Sequence, residues 1–348
     1  MDAHHVARCA RHMAASALLS SMSDRELARA VATAAPLGAG IGGRSMAMDL
    51  DGDRVFVKRI PLTDIEMLPQ NMFSTANVFG LPTFYQYGLG SSGFGAWREL
   101  AAHTMTTEWV LGRTFSGFPL MHHWRILPDS IPEGFVDEFG GVERAVTYWE
   151  RSPAVRSRLK AIGECTHSVV LFLEYVPHTL AEWIALQHNN SDTDDDSMYF
   201  WMEDALARGT AFMSAHGLVH FDAHFANILT DGQQLYFADF GLALSSSFDL
   251  SMRESTFLAR HLSYDSVYCA GHLLRCVIAE KFTGTERAEF PDTWIGRARP
   301  DGVTSDLAAL IDRHVRPTAL LNAFHRRLVS DSKETPFPME EIERERKP

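Results

Sequence analysis

His220-Phe221-Asp222-Ala223-His224-Phe225-Ala226-Asn227 is the stretch from which the rest of this chain can be read. It sets an aspartate and an asparagine at the two ends of one short loop. Moving a phosphoryl group needs a carboxylate to orient the attacking hydroxyl and take its proton, and oxygen ligands for Mg²⁺. Asp222 suits the first task. The side-chain carbonyl of Asn227 suits the second. Downstream, Leu235 to Ala238 is an apolar strand that ends on Asp239-Phe240-Gly241. Its position lets Asp239 project into a cleft as a further Mg²⁺ ligand, while Gly241 lets the chain turn away.

Upstream, Gly38, Gly40 and Gly43 satisfy G-x-G-x-x-G, a spacing that lets backbone N–H groups approach phosphate oxygens. A dinucleotide-binding turn has the same spacing but opens a helix. Here a strand follows, then a hairpin signal at Asp51-Gly52-Asp53, then the alternating strand Val55-Phe56-Val57-Lys58. Lys58 therefore arrives at the end of an alternating strand, fifteen residues after Gly43.

Taken in order, these four pieces resemble the glycine loop, the strand lysine, the catalytic loop and the D-F-G of the protein-kinase-like superfamily. The resemblance implies an α+β, bilobal protein-kinase-like fold. Its N-lobe would be a small antiparallel β-sheet with one key helix, and its C-lobe mainly α-helical. It also implies ATP and Mg²⁺ as cofactors, with Lys58 and the glycines Gly38, Gly40 and Gly43 holding the nucleotide. Asn227 and Asp239 would hold the metal, and Asp222 would align the acceptor.

The family's lysine is oriented by a glutamate on the next helix. Glu99 and Glu108 both lie on a helix expected over 97–111, on opposite faces, and Glu66 lies between Pro61 and Pro69. Glu99 is preferred, with Glu108 and Glu66 as alternatives. Glu174-Tyr175-Val176-Pro177 ends an apolar strand and resembles the kinase hinge, so the Glu174 carbonyl and the Val176 N–H are expected at the adenine edge. Asp265, in a helical stretch, resembles the aspartate that supports the catalytic loop.

His224 stands where many protein kinases carry lysine. H-x-D-x-H-x-x-N is similar to aminoglycoside and choline phosphotransferases and to haspin kinases, which implies a histidine that binds the γ-phosphate or stabilises the loop. No Ala-Pro-Glu follows Asp239. The acceptor expected first is Ser or Thr of a protein; a small hydroxylated molecule is the alternative, and a nucleotide-binding scaffold without turnover the third reading. Ser245, Ser246, Ser247 and Ser251 are candidate phosphorylation sites in the segment after Gly241.

The 348 residues are 46% hydrophobic and 22% charged, as in an ordinary globular protein. A net charge of −12 disfavours nucleic acid and anionic membrane as partners. No apolar run approaches the ~20 residues that span a bilayer. Met13 to Met22 is too weak and serine-interrupted for a signal peptide, so a cytoplasmic location is expected. The four cysteines form no C-x-x-C pair and are read as reduced, with Cys269 and Cys276 on one helical face. His4-His5 and His122-His123 show no zinc spacing, and Asp192 to Asp196 reads as a solvated loop.

The chain divides into an N-terminal helical extension (1–36) with a helix capped at Ser23-Asp24, and a strand-rich part (37–176) carrying insertions at 61–96 and 129–165. A helical part (177–330) and a C-terminal tail (331–348) complete it. Further expectations are a strand over 118–127, a helix around 142–162, a strand over 168–175, helices over about 180–188 and 197–216, and a tail helix that frays.

Overall fold

The two-residue turn Asp51-Gly52 has φ of 54° and 90°, both positive, as a type I′ hairpin requires. It joins β2 (Gly43–Leu50) to β3 (Asp53–Leu62), with Leu50 opposite Asp53 and Ser45 opposite Lys58. These strands belong to a five-stranded antiparallel sheet in the order β1-β2-β3-β5-β4, with β1 Ala35–Gly40, β4 Met121–Pro128 and β5 His167–Glu174. The computed structural model describes residues 3–40, 43–130, 135–190, 196–282, 290, 294–295 and 303–346. The tip of the glycine turn, residues 41–42, lies outside them.

Both faces of the sheet are covered. Helices α1 (Ala3–Ser21) and α2 (Asp24–Ala32) lay Leu19, Leu27 and Val31 against Val55, Val57, Val170 and Phe172. Ser23 caps α2 and exchanges hydrogen bonds with Glu26, a capping box. On the opposite face α3 (Ala96–Leu111) sets Trp97 and Leu100 against Ile60, Leu62, Val169 and Leu171. This explains why β5 is apolar from Val169 to Leu173: odd and even side chains enter different cores. Each fully buried Val, Leu or Phe contributes about 1.5–3 kcal/mol. The same period of two turns Lys58 toward α3, while Val55 and Val57 face the N-terminal helices.

Beyond β5 the chain is mainly helical: α6 (Leu180–Asn190), α7 (Ser197–Ala215), α8 (Met252–His261), α9 (Tyr264–Lys281), α10 (Ser305–Ser330) and α11 (Met339–Glu345). Short strands interrupt it, with β6 (His178–Thr179), β8 (Ile228–Thr230) and β9 (Leu235–Phe237) in one sheet and β7 (Leu218–Val219) paired to β10 (Leu244–Ser245). Leu206, Met213, Val267, Leu274, Leu310 and Phe324 share one core with Ala102 and Val110 of α3, which therefore packs on both sheet and helices.

Several expectations need correcting. The helix expected around 142–162 is two, α4 (Val142–Tyr148) and α5 (Pro153–Glu164). Glu150 and Arg151 between them have φ of 56° and 53°, and Pro153 fits only the first turn of a new helix. The strand expected from 118 starts at Met121. Asp196 is not solvated: its carboxylate accepts a 2.9 Å contact from Lys281 Nζ and is 9% exposed, whereas 191–195 lie outside the described residues. The tail helix α11 is docked by Ile342, which is fully buried. All four cysteines are free. Among the described residues no helix is long and apolar enough to cross a membrane.

Candidate active site

Lys58 Nζ lies 2.6 Å from Glu99 Oε1 and 2.8 Å from Asp239 Oδ1. Glu99 sits in the first turn of α3, where the helix dipole favours a carboxylate. Burial alone lowers the Lys58 pKa, but the charges of Asp239 and Glu99 reverse this and raise it. Two carboxylates sharing one ammonium cannot ionise equally. Glu99, the more enclosed, is pushed up to about 7 by burial and by Asp239 against the pull of Lys58. Asp239 is held down to about 2: Lys58, His220 and the Gly241 amide outweigh its burial. Of the other two glutamates, Glu108 is exposed on the far face of α3. Glu66 is buried, and its Oε1 accepts the Ala96 N–H at 2.8 Å, capping α3 from a distance.

The loop of Asp222 is held from behind. Asp265, on α9, accepts the N–H groups of His220 (2.6 Å) and Phe221 (3.0 Å). Phe221 has φ 63°, an outlier for a bulky residue. Asp265 and the packing of its ring on Tyr264 and Phe257 hold it there. His220 Nε2 bonds the Ala238 carbonyl at 2.8 Å, tying the loop to the strand that delivers Asp239. Phe240 packs on His220 and His103. Asp239 itself has φ 63°, which aims its side chain back at Lys58.

Asn227 Nδ2 donates to both the backbone oxygen and Oδ2 of Asp222, each at 3.0 Å, so the two site residues fix one another. Burial and the neighbouring Asp239 charge raise the Asp222 pKa to about 7, which suits a proton acceptor near neutrality. Ala226 N–H donates to His224 Nδ1 at 3.2 Å, leaving the proton on Nε2, 3.8 Å from Asp222 Oδ1. Burial lowers the His224 pKa, favouring this neutral form.

Two cavities meet at Lys58 and Asp239. The outer, about 690 Å³, is lined by Gly38, Gly43, Phe56, Glu174, Val176 and Asn227. The inner, about 330 Å³, is lined by Asp222, His224, Arg158 and residues of a loop from Gly88 to Gly95. A cavity of about 710 Å³ between α7, α9 and α10 is as large but contains none of these groups.

Asp239 and Asn227 are too few for an all-protein metal cage, and no cluster of three His, Cys, Asp or Glu suits a metal among the described residues. The carboxylate of Asp239 and the side-chain carbonyl of Asn227 are oxygen donors of the kind Mg²⁺ takes together with waters and phosphate oxygens.

Three features escaped the sequence reading. Arg8 of α1 is 1% exposed and grips the Glu174 carboxylate through Nε (2.9 Å) and Nη2 (2.7 Å). It also donates to the carbonyls of Ser116 and Phe118. Its guanidinium outweighs burial and holds Glu174 below its usual pKa. Thus the side chain of Glu174 anchors the end of β5, and the residue also lines the outer cavity. No local signal marks Arg8. Arg158 and Glu66 form a 2.7 Å ion pair with both side chains 2% exposed, joining the insertions at 129–165 and 61–96. Gly88, Gly90 and Gly93 repeat the spacing G-x-G-x-x-G, a signal present in the sequence. Of the candidate phosphorylation sites, Ser245 is fully buried and Ser251 caps α8, accepting the Glu254 N–H. No protein-family model matches the chain, and no curated protein matches it.

Proposed function

We propose that this chain is an ATP- and Mg²⁺-dependent phosphotransferase, built as a bilobal protein-kinase-like fold, that moves the γ-phosphate to a hydroxyl. One observation carries the reading: Lys58–Glu99, Asp239 and the Asp222–Asn227 pair converge where two cavities join. The five-stranded antiparallel sheet with α3 against it, followed by the helical part, supports the fold assignment.

Bound Mg²⁺–ATP supplies the phosphoryl group and offsets the charge that develops on it. Lys58, oriented by Glu99, binds the phosphates, and Asp239 and Asn227 present the oxygens that would hold the metal. The backbone of Glu174 to Val176 binds the adenine edge, steadied by Arg8. Asp222 orients the acceptor hydroxyl and takes its proton, and His224 offers its Nε2–H beside the transferred group. The acceptor expected from sequence, Ser or Thr of a protein, and a small-molecule hydroxyl both suit this chemistry.

Asp222→Asn keeps the shape and removes the base. Turnover, including hydrolysis of labelled ATP by water, is expected to fall by roughly 10²–10⁴-fold, with ATP affinity within a few-fold of the parent by calorimetry. Hydrolysis indifferent to the substitution would overturn the mechanism. ATP binding without turnover in the parent chain would leave a scaffold.

A further inference from the structure

We propose that Arg98 is a positioning residue for Lys58: its buried pair with Glu254 of α8 fixes the rotation of α3 and so sets the Glu99 carboxylate on the lysine; the consequence for turnover rests on the phosphotransferase reading above.

Successive residues of an α-helix point about 100° apart, so Arg98 and Glu99 leave the first turn of α3 in different directions. Glu99 reaches Lys58 at 2.6 Å. Arg98 reaches Glu254, 156 residues further along the chain. Its Nη2 lies 2.6 Å from Glu254 Oε1, and the two side chains are 3% and 4% exposed. Arg98 Nε donates to the Thr75 carbonyl at 2.6 Å, and Thr75 Oγ1 accepts the Asp249 N–H at 2.8 Å. The guanidinium thus joins α3 to the chain beyond Gly241 at two points, directly at Glu254 and through Thr75 at Asp249. The rings of Phe94 and Phe248 lie with centroids 5.0 and 5.8 Å from its Cζ.

Glu254 is itself held in one orientation. Ser251 donates to its Oε2 from the backbone N–H (3.0 Å) and from Oγ (2.8 Å), leaving Oε1 to Arg98. This is the capping box of α8, so the partner of Arg98 is set by the start of a helix. Burial works against the Glu254 charge, yet Arg98 and Ser251 hold its pKa below the usual carboxylate value.

Such a pair is suited to orientation more than to stability. A buried ion pair gains little over apolar groups of the same volume, and its best-attested use is to fix register. Trp97 and Leu100 hold α3 against the sheet, but apolar burial is non-directional. A charge facing an oriented carboxylate favours one rotation. Side-chain tips lie about 5–6 Å from a helix axis. A turn of about 10° at that radius would therefore move Glu99 Oε1 by about 1 Å, enough to part its 2.6 Å contact with Lys58.

The test removes both charges together, since one left alone in the interior would destabilise the fold by itself. Arg98→Met keeps the stem, and Glu254→Gln keeps the capping box, which accepts Gln as well as Glu. In the full chain, the rate at which an amine reagent modifies Lys58, read by mass spectrometry at about pH 8, reports the Lys58–Glu99 contact whether or not ATP turns over. The double variant should raise that rate about tenfold and lower kcat/KM for ATP by a similar factor. Modification of Lys160 and thermal unfolding should stay as in the parent. Glu99→Gln should act in the same direction, and adding it to the double variant should give no more than Glu99→Gln gives alone. Effects that multiply would mean that Arg98 serves the fold and not Glu99, and would overturn the inference. So would Lys58 modified at the parent rate in the double variant. If that variant unfolds, Arg98→Lys, which keeps the charge but cannot serve Glu254 and Thr75 with one fork, enters the same cycle with the same outcomes. Asp222-dependent ATP hydrolysis by the parent is read in parallel. Its absence would sink the phosphotransferase reading, while the modification of Lys58 still decides the role of Arg98.

Discussion

The turn of Gly38 to Gly43 and the loop of Gly88 to Gly95 share one glycine spacing, yet the chain enters and leaves them differently. In the first, Gly38 and Gly43 stand on paired strands, with Gly40 opposite Gly43, and both line the outer cavity. The second opens α3, the arrangement in which such a motif commonly presents a helix N-terminus to phosphate. Here the Ala96 amide at that terminus is occupied by the Glu66 carboxylate, itself paired with Arg158. The loop's glycines serve instead to bring backbone against Asp222 and Gly241. In the second loop the spacing removes side chains so that two backbones can meet, whereas in the first the proposed function has it free amides for an anion.

Gly88→Ala should break the comparison with the larger effect. The added methyl collides with a carboxylate on a rotatable side chain, so the fold yields cheaply and Asp222 moves. A displacement near 1 Å in a reacting group costs about 10²-fold. The expected result is a kcat reduced about a hundredfold, with the ATP KM and thermal unfolding close to the parent. A lowered unfolding temperature with normal kcat would mean that the loop is only structural.

Gly43→Ala probes the other loop. Gly43 has φ 138°, and its Cβ would lie 2.2 Å from the Arg59 carbonyl oxygen, a backbone atom that cannot swing aside. Strain of about 1–3 kcal/mol is expected, opening the β1–β2 end over the outer cavity. That should raise the ATP KM about tenfold while leaving kcat at saturating ATP within a few-fold. Gly38→Ala is its control, since that Cβ meets Ser45 Oγ at an ordinary 3.5 Å. Equal effects from 43 and 88 on both constants would dissolve the division into donor and acceptor loops.

The residues around Lys58 and Asp222 were more legible in sequence than the loop of Gly88 to Gly95 and its partners, for a physical reason. Lys58 was readable because its strand alternates, and Asp222, Asn227 and Asp239 because their order and spacing resemble those of a known family. Glu99 was half legible: helical period limited the choice, and only packing decided between it and Glu108. Arg8 lies 166 residues from Glu174, and nothing local marks an arginine that will be buried. Glu66 comes from irregular chain with no period to read, and Arg158 from an expected helix whose period does not say which distant carboxylate its buried face will meet. Gly88, Gly90 and Gly93 were in plain view, but a spacing alone does not say which backbone will approach. The apolar run of β5 signalled burial without revealing that α1 and α2 supply the second cover.

The smallest expected effect, and the one that ties the two sides together, is on pH dependence. On the proposed function Asp222 must be deprotonated to take the acceptor proton, and its pKa of about 7 arises from burial first and from the Asp239 charge next, with Asn227 and Lys58 opposing. Rate should therefore fall as pH drops through about 7, tenfold per unit well below it. At limiting ATP the profile reports the nucleotide-free enzyme and should show that limb. At saturating Mg²⁺–ATP the charge of Asp239 is engaged by metal, its repulsion of Asp222 weakens, and the limb should move to lower pH. Burial persists in both states, so the limb moves only part of the way toward an ordinary aspartate. Rates at pH 6 should accordingly differ by a few-fold between the two conditions. Coincident limbs would mean that Asp239 and Asp222 do not sense one another across the junction of the cavities. A limb that moved upward on saturation would place the titrating group elsewhere.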